Sequence, residues 1–163
     1  MSGRRSPAID QARFREVLGH FATGVTVVTA MEDGEPIGFT CQAFTSLSLE
    51  PPMVALAPAK SSTSWPRMAR AGTFCVNVLG EAQEAIGRAF GVSGSGKFEG
   101  IAWRLGDAGT PVIDSVLAWA ECELDAVHEA GDHELVTGRV LHLGVGSGGP
   151  LLFYRGRYAR LRP

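Results

Sequence analysis

Cysteine is scarce and scattered. Cys41, Cys75 and Cys122 lie far apart and none falls in a CxxC spacing. That spacing argues against a zinc site, and the odd number argues against a disulfide framework. Each sits in an apolar, strand-like run, so the expectation is reduced, buried thiols in a cytoplasmic protein. An excess of one charge is missing too. Fifteen Lys and Arg against 17 Asp and Glu give a formal net charge of −2, which offers no basis for a nucleic-acid partner. The arginines at 155, 157, 160 and 162 read as a solvated tail. No apolar run approaches the length needed to cross a membrane, and Arg4 and Arg5 are not followed by the apolar stretch of an export signal. Several catalytic signatures are also lacking. No GxGxxG stands at a strand-to-helix turn, so no Rossmann cofactor site is expected. Without GxSxG an α/β-hydrolase nucleophile has no turn to sit on, and without HExxH or a His/Asp cluster no metal is expected. Glu121 and Glu123 would share one strand face, where paired carboxylates are expected to meet solvent rather than act as acid and base.

What is present fits one globular domain. The chain has 163 residues, 45% hydrophobic and 20% charged, enough for a substantial core. Residues 1–9 read as a disordered leader and residues 10–163 as the domain. Asp10 is placed to cap a helix carrying Phe14, Val17, Leu18 and Phe21 at helical spacing, with Gly24 ending it. VTVVTAM then reads as a strand, and Glu32-Asp33-Gly34-Glu35 as the hairpin turn into a strand over Ile37–Cys41. Further strands are predicted over Met53–Ala57, Phe74–Leu79, Val116–Val127, His133–Leu143 and Leu151–Ala159. Ser61–Ala71 reads as a short helix with Pro66 in its first turn. Glu81–Phe90 reads as an amphipathic helix with Ala82, Ala85, Ile86 and Ala89 on its apolar face. Many strands joined by hairpins, with few helices, point to a mainly β fold: an antiparallel barrel with helices at its margins. Trp65, Trp103 and Trp119 are assigned to packing.

Four segments could carry chemistry. GFTCQAFTSLSLEPPMV, residues 38–54, begins as a strand, becomes a run of hydroxyl and small residues, and ends at Pro51-Pro52, which cannot continue straight into a strand. Thr40, Thr45, Ser46 and Ser48 offer hydroxyls and Ala43 lets a planar ligand approach the backbone. The segment suits a cradle for a polar ring and a phosphate, or a Ser/Thr-rich edge strand and turn. Ala57-Pro58-Ala59-Lys60-Ser61-Ser62-Thr63 gathers hydroxyls and a cation before a helix, fit for a phosphate or for an ordinary helix cap. Gly131-Asp132-His133 sets a histidine at a strand start, for a ligand or merely for the turn; His128 is a weaker candidate, and His20 and His142 read as structural. In Phe153–Tyr158, Tyr154 could stack on a ring beside an arginine, or fill a final barrel strand.

The ordered set of motifs resembles the short-chain flavin reductases, the small component of two-component flavin-dependent monooxygenases. FATGVTVVTA, GFTCQAFTSLSLEPPMV, the Lys-Ser-Ser-Thr loop, FCVNVL, KFEGIAW, AGDHELVTGRV and PLLFYRGRY follow in that family's order across residues 10–161. The resemblance implies the FMN-binding split barrel, of antiparallel Greek-key type, as a homodimer with flavin near the subunit interface. It implies an NAD(P)H:flavin oxidoreductase that passes hydride from nicotinamide C4 to flavin N5 and supplies reduced FMN or FAD to a monooxygenase, with NADH favoured over NADPH. The carry-over for flavin falls on Phe39, Thr40, Cys41, Gln42, Ala43, Thr45 and Ser46. It extends to Ala57, Lys60, Ser61, Ser62 and Thr63, with the phosphate anchored chiefly by Ser62 and Thr63, and with Phe90, Lys97 and Phe98 nearby. Cys41-Gln42-Ala43 departs from the family's usual small or β-branched residue, then Asn or Ser, then Ser, so backbone contacts carry over there, while the departure puts a side-chain contact at Gln42 or Ala43 in doubt. His133, Tyr154 and Arg155 are implied at the nicotinamide, with His133 the catalytic candidate. A flavin carrier without catalysis, and a split-barrel enzyme acting directly on an organic substrate, are the other readings.

Overall fold

The computed structural model describes residues 8–162. Of the expected leader, residues 1–7 lie outside that range. A short helix α1 (Gln11–Leu18) opens the described chain, capped by the Asp10 carboxylate, which accepts from the Ala12 amide at 3.0 Å. Two more helices follow, α2 (Trp65–Ala71) and α3 (Glu84–Phe90). The strands are β1 (Thr23–Gly24), β2 (Thr26–Glu32), β3 (Glu35–Cys41), β4 (Phe44–Leu49), β5 (Pro52–Leu56), β6 (Thr73–Val78), β7 (Trp103–Leu105), β8 (Pro111–Ile113), β9 (Ala118–Ala130), β10 (His133–Val145), β11 (Leu151–Tyr154) and β12 (Arg157–Arg160).

Seven strands form the main sheet in the order β3-β2-β6-β9-β10-β5-β4, every neighbouring pair antiparallel. Its two edges, β3 and β4, are consecutive in the chain and joined only by Gln42 and Ala43. From Cys41 to Phe44 the chain can reach at most about 11 Å. A flat sheet would hold those edges roughly 29 Å apart, at about 4.8 Å per strand. The sheet must therefore curl until its edges approach, which makes it a barrel. Register shifts at Thr137/Gly138 and Val140/His142 in the long β9–β10 ladder supply local bends. A three-stranded sheet, β1-β11-β12, and the β7–β8 hairpin stand beside it.

β2 is buried along most of its length, which explains its unbroken apolar and Thr composition. Val28 and Ala30 face the barrel interior with Phe39, Leu56, Phe74 and Val136, closed by Trp65 and Met68 of α2. Val25 and Val27 face a second cluster with Leu79, Phe90, Ile113 and Leu151.

Several expectations need correcting. α1 ends at Gly19, not Gly24, which has been drawn into β1. Its apolar residues bury nothing: Phe14, Val17, Leu18 and Phe21 are exposed. The helix expected from Ser61 begins at Trp65, because Ser61–Ser64 form the turn that leads into it. Glu81–Phe90 starts as a 3-10 turn, Glu81–Gln83, whose tighter winding shifts the phase. Gln83, Gly87 and Phe90 face inward there, while Ala82 and Ala85 are exposed. The single strand expected over Leu151–Ala159 is a hairpin. Arg155 and Gly156 turn it with φ of 51° and 77°, the geometry of a two-residue β-turn. Glu121, expected at solvent, is fully buried beneath the Trp103–Ile113 hairpin, which supplies its hydrogen-bond donors.

Candidate functional site

The place where the sheet closes also holds a cleft, a cavity of about 330 Å³. One wall is the free edge of β3. The Gly38 carbonyl points away from β2 and accepts from Ser64 Oγ at 3.2 Å and Lys97 Nζ at 3.1 Å. Antiparallel pairing alternates, so the N–H and C=O of Thr40, two residues on, point outward as well. Among the described residues no strand lies beyond them. The Thr40 hydroxyl is already committed to the Gly87 carbonyl at 2.6 Å, so it is the backbone of Thr40 that faces the cleft. Gly38 also shapes the wall through the side chain it lacks. A Cβ there would lie 2.7 Å from the Phe90 ring. Its absence lets Phe90, at the end of α3, pack close against β3 and form an apolar wall.

The opposite wall is the segment from Ala57 to Ser64. The Ala57 amide bonds the Ala43 carbonyl at 2.9 Å and so ties the end of β5 to the closing link. Ser62 Oγ accepts from the Trp65 amide at 3.1 Å, so this hydroxyl does cap the start of α2. Ser61 and Thr63 line the same cleft with no hydrogen-bond partner for their hydroxyls among the described residues. Lys60 does not line it. Its Nζ pairs with Glu129, which holds the ammonium pKa above the ordinary lysine value. The cation in the cleft is Lys97, whose pKa burial lowers. Cys41 also lines it, its thiol pushed up to about 11 by burial. No Asp or Glu is among the lining residues.

His133 closes one end. Its main chain bridges Ala59, and its Nδ1 lies 2.7 Å from the Asp132 carboxylate.

The structure thus brings Phe39–Ala43, Ala57, Ser61–Thr63, Phe90, Lys97 and His133 together around one cleft. It leaves others outside. Thr45 and Ser46 lie along the exposed edge strand β4. Phe98 packs edge-on behind Phe90, ring centroids 4.9 Å apart. Tyr154 and Arg155 belong to the β11–β12 hairpin, near α1: the Tyr154 ring meets His20 edge-on at 6.3 Å, and the Arg155 amide bonds the Gly19 carbonyl. Sequence reasoning missed Ala59, Ser64, Gly91, Val92 and Ser93, which complete the lining. For Ala59 and Ser64 the signal was their place in the hydroxyl-rich segment. Val92 and Ser93 had only proximity to Phe90.

Residues 18–162 match the family described as the flavin reductase like domain. The reductase subunit HsaB of a flavin-dependent monooxygenase from Rhodococcus jostii is 48% identical over 157 residues, covering 96% of this chain and 80% of that protein. The crystal structure of a nitrilotriacetate monooxygenase component B homologue from Mycobacterium thermoresistibile superposes with a TM-score of 0.92 at 46% identity, covering 97% of this chain and 90% of that one. The NADH:FAD oxidoreductase SgcE6 of Streptomyces globisporus, solved with NAD and FAD fragments, superposes with a TM-score of 0.90 at 35% identity, covering 97% and 98%. The curled antiparallel sheet, its closing link and the motif order therefore have one explanation: this chain belongs to the flavin reductase family.

Proposed function

We propose that the chain is an NAD(P)H:flavin oxidoreductase that supplies reduced FMN or FAD to a separate flavin-dependent monooxygenase. The observation that carries this reading is the cleft itself. It is free of carboxylates, offers unpaired backbone groups at Thr40, and sets hydroxyls and a lysine beside an apolar wall. A flavin needs those elements: donors and acceptors along its pyrimidine edge, an apolar face and an anchor for phosphate.

In this reading the backbone of Phe39–Ala43 holds the ring edge, and Phe90 and Ala57 pack against the ring. Ser61, Thr63 and Lys97 meet the phosphate, with Ser62 holding the turn. Bound flavin supplies the acceptor for the hydride that the nicotinamide gives up. The protein contributes alignment of the two rings and exclusion of water. His133 contacts the nicotinamide.

We further propose a homodimer in the cytoplasm. Phe14, Val17 and Leu18 on α1 and Leu135, Leu141, Leu143 and Val145 on β10 are exposed apolar side chains that a second copy would cover. Tyr154 and Arg155 lie outside their own chain's cleft, so a role at the nicotinamide requires that a second copy bring them. Sedimentation as a monomer at micromolar concentration would exclude that role. The cytoplasmic assignment rests on three free, buried thiols; no described helix is long and apolar enough to cross a membrane.

The decisive experiment is anaerobic mixing of the purified protein with FMN or FAD and NADH or NADPH, following the flavin and nicotinamide absorbance bands. Loss of both bands establishes the reductase, and the preferred pair names flavin and nucleotide. Flavin binding without reduction by either nucleotide would move the function to a carrier or a direct-substrate enzyme.

A further inference from the structure

The turn between β9 and β10 is Gly131–Asp132, with glycine at φ 70° in the first central position, as a tight hairpin of this kind requires. Two main-chain hydrogen bonds stitch the turn to the cleft wall. The Lys60 amide donates to the Asp132 carbonyl at 2.9 Å and the Glu134 amide donates to the Pro58 carbonyl at 3.0 Å, which together make the bridge between Ala59 and His133. They fix the backbone of His133 and leave its imidazole free to rotate. One side-chain contact restricts that freedom, Asp132 Oδ1 to His133 Nδ1 at 2.7 Å. The Asp132 side chain is itself 96% exposed, so it fills no core position. The hydrogen bond from His133 holds the Asp132 carboxyl below the usual range, so it is ionised at neutral pH. An ionised carboxylate only accepts. In the neutral ring Nδ1 therefore carries the proton, and Nε2 is left as a bare acceptor on a residue that lines the cleft.

We propose that Asp132 is a positioning residue for nicotinamide oxidation. It locks His133 in the Nδ1–H tautomer and so presents Nε2 as the acceptor for the carboxamide N–H of the incoming nicotinamide. The proposal rests on the reading of His133 as a nicotinamide contact and adds to it the residue that sets the direction of that hydrogen bond. A histidine left to itself would place its proton on Nε2 more often and meet the carboxamide donor with a donor.

Two substitutions test it. Asp132→Ala removes the acceptor from Nδ1. Asp132→Asn keeps an oxygen that can still accept there. The first readout needs no ligand: ¹⁵N-edited NMR of His133 in the full chain at neutral pH. The expected result is the Nδ1–H form in the wild type, loss of its dominance in Asp132→Ala, and its return in Asp132→Asn. The second readout is steady-state kinetics. The KM for NADH rises about tenfold in Asp132→Ala and less in Asp132→Asn, with kcat changed less than KM and flavin affinity unchanged. The same tautomer in wild type and Asp132→Ala overturns the proposal, as does an unchanged KM for NADH. Absence of NADH oxidation by the wild type would remove the nicotinamide role together with the functional reading. The ligand-free spectrum would still show that failure to be distinct from a failure of Asp132 to hold the ring.

Discussion

Glu121→Ala is the substitution for which the structure gives the sharpest stability prediction. The Glu121 side chain is fully buried, and its oxygens accept from the Ala108 amide at 3.1 Å, the Thr110 amide at 3.3 Å and the Thr110 hydroxyl at 2.6 Å. These donors belong to the tight turn between β7 and β8, so one carboxylate pins that hairpin to the barrel. Removing it strands the Thr110 amide, which is buried, at about 1–3 kcal/mol. The Ala108 amide is half-buried and recovers part of its loss from water, and the Thr110 hydroxyl can rotate. With the lost packing of one methylene, at about 0.8 kcal/mol, the cost is about 2–4 kcal/mol. Glu121→Gln keeps one oxygen for Thr110 but turns an N–H₂ toward the Ala108 amide, for about 1–2 kcal/mol. Gly106→Ala attacks the same clasp from the other side. A Cβ there would lie 2.3 Å from Glu121 Oε1, so the turn must lift, at about 1–3 kcal/mol. Equilibrium urea unfolding followed by circular dichroism measures all three. A Glu121→Ala protein within about 1 kcal/mol of the wild type, or a Gln variant less stable than the Ala variant, would refute the reasoning.

Three further outcomes are expected. Gly38→Ala places a methyl 2.7–2.9 Å from the Phe90 ring, so urea unfolding should show a loss of about 1–3 kcal/mol and flavin titration a weaker complex; a neutral result would mean that Phe90 moves freely. Burial pushes the thiols of Cys41, Cys75 and Cys122 up to about 11, 12 and 12 from 9.0, so between pH 9 and 12 the unfolded chain holds fewer protons than the folded one. Stability should therefore fall as pH rises through that window, less so in Cys75→Ala, and a thiol reagent at about pH 8 should label the protein only in denaturant. His133→Ala should weaken nicotinamide use about tenfold to a hundredfold, roughly 1.4–2.7 kcal/mol, while flavin titration stays unchanged; unaltered kinetics with NADH would remove His133 from the site.

The strands that were legible in the sequence were those whose burial left a mark on composition. β2 and β6 are nearly continuous apolar runs because they lie mid-sheet, and the Asp33-Gly34 turn announced itself through residues that tolerate positive φ. The missed elements have no such mark. β1, β7 and β8 are two or three residues long and exist through tertiary pairing. β4 is an exposed edge strand, so its Ser and Thr composition reads equally as a loop. Glu121 was misread because alternation along a strand says which residues share a face, not what covers that face; its cover is a hairpin of short strands that carry little signal of their own. In the cleft, Ser61–Thr63 and Phe39–Ala43 were found by motif order. Lys60 was the plausible cation in the loop, and only geometry shows it turned out to Glu129 while Lys97, more than thirty residues on, turns in.

The barrel's weakest point and its site are the same place. A sheet that closes through a two-residue link cannot pair its last edge completely, and unpaired edge groups invite association with another strand. Here the Gly38 carbonyl is taken by Ser64 and Lys97, and Phe90 covers the face that Gly38 leaves bare. Thr40 has its hydroxyl spent on α3 and its main-chain groups open to the cleft. On the proposed reading, a flat ligand with alternating donors and acceptors along one edge would satisfy those groups as a neighbouring strand would. The incomplete closure would then be what makes the site. Any change that moved Gly38, Lys97 or Phe90 would be expected to trade flavin affinity against the stability of this edge, which is why Gly38→Ala should be followed by unfolding and flavin titration in the same preparation.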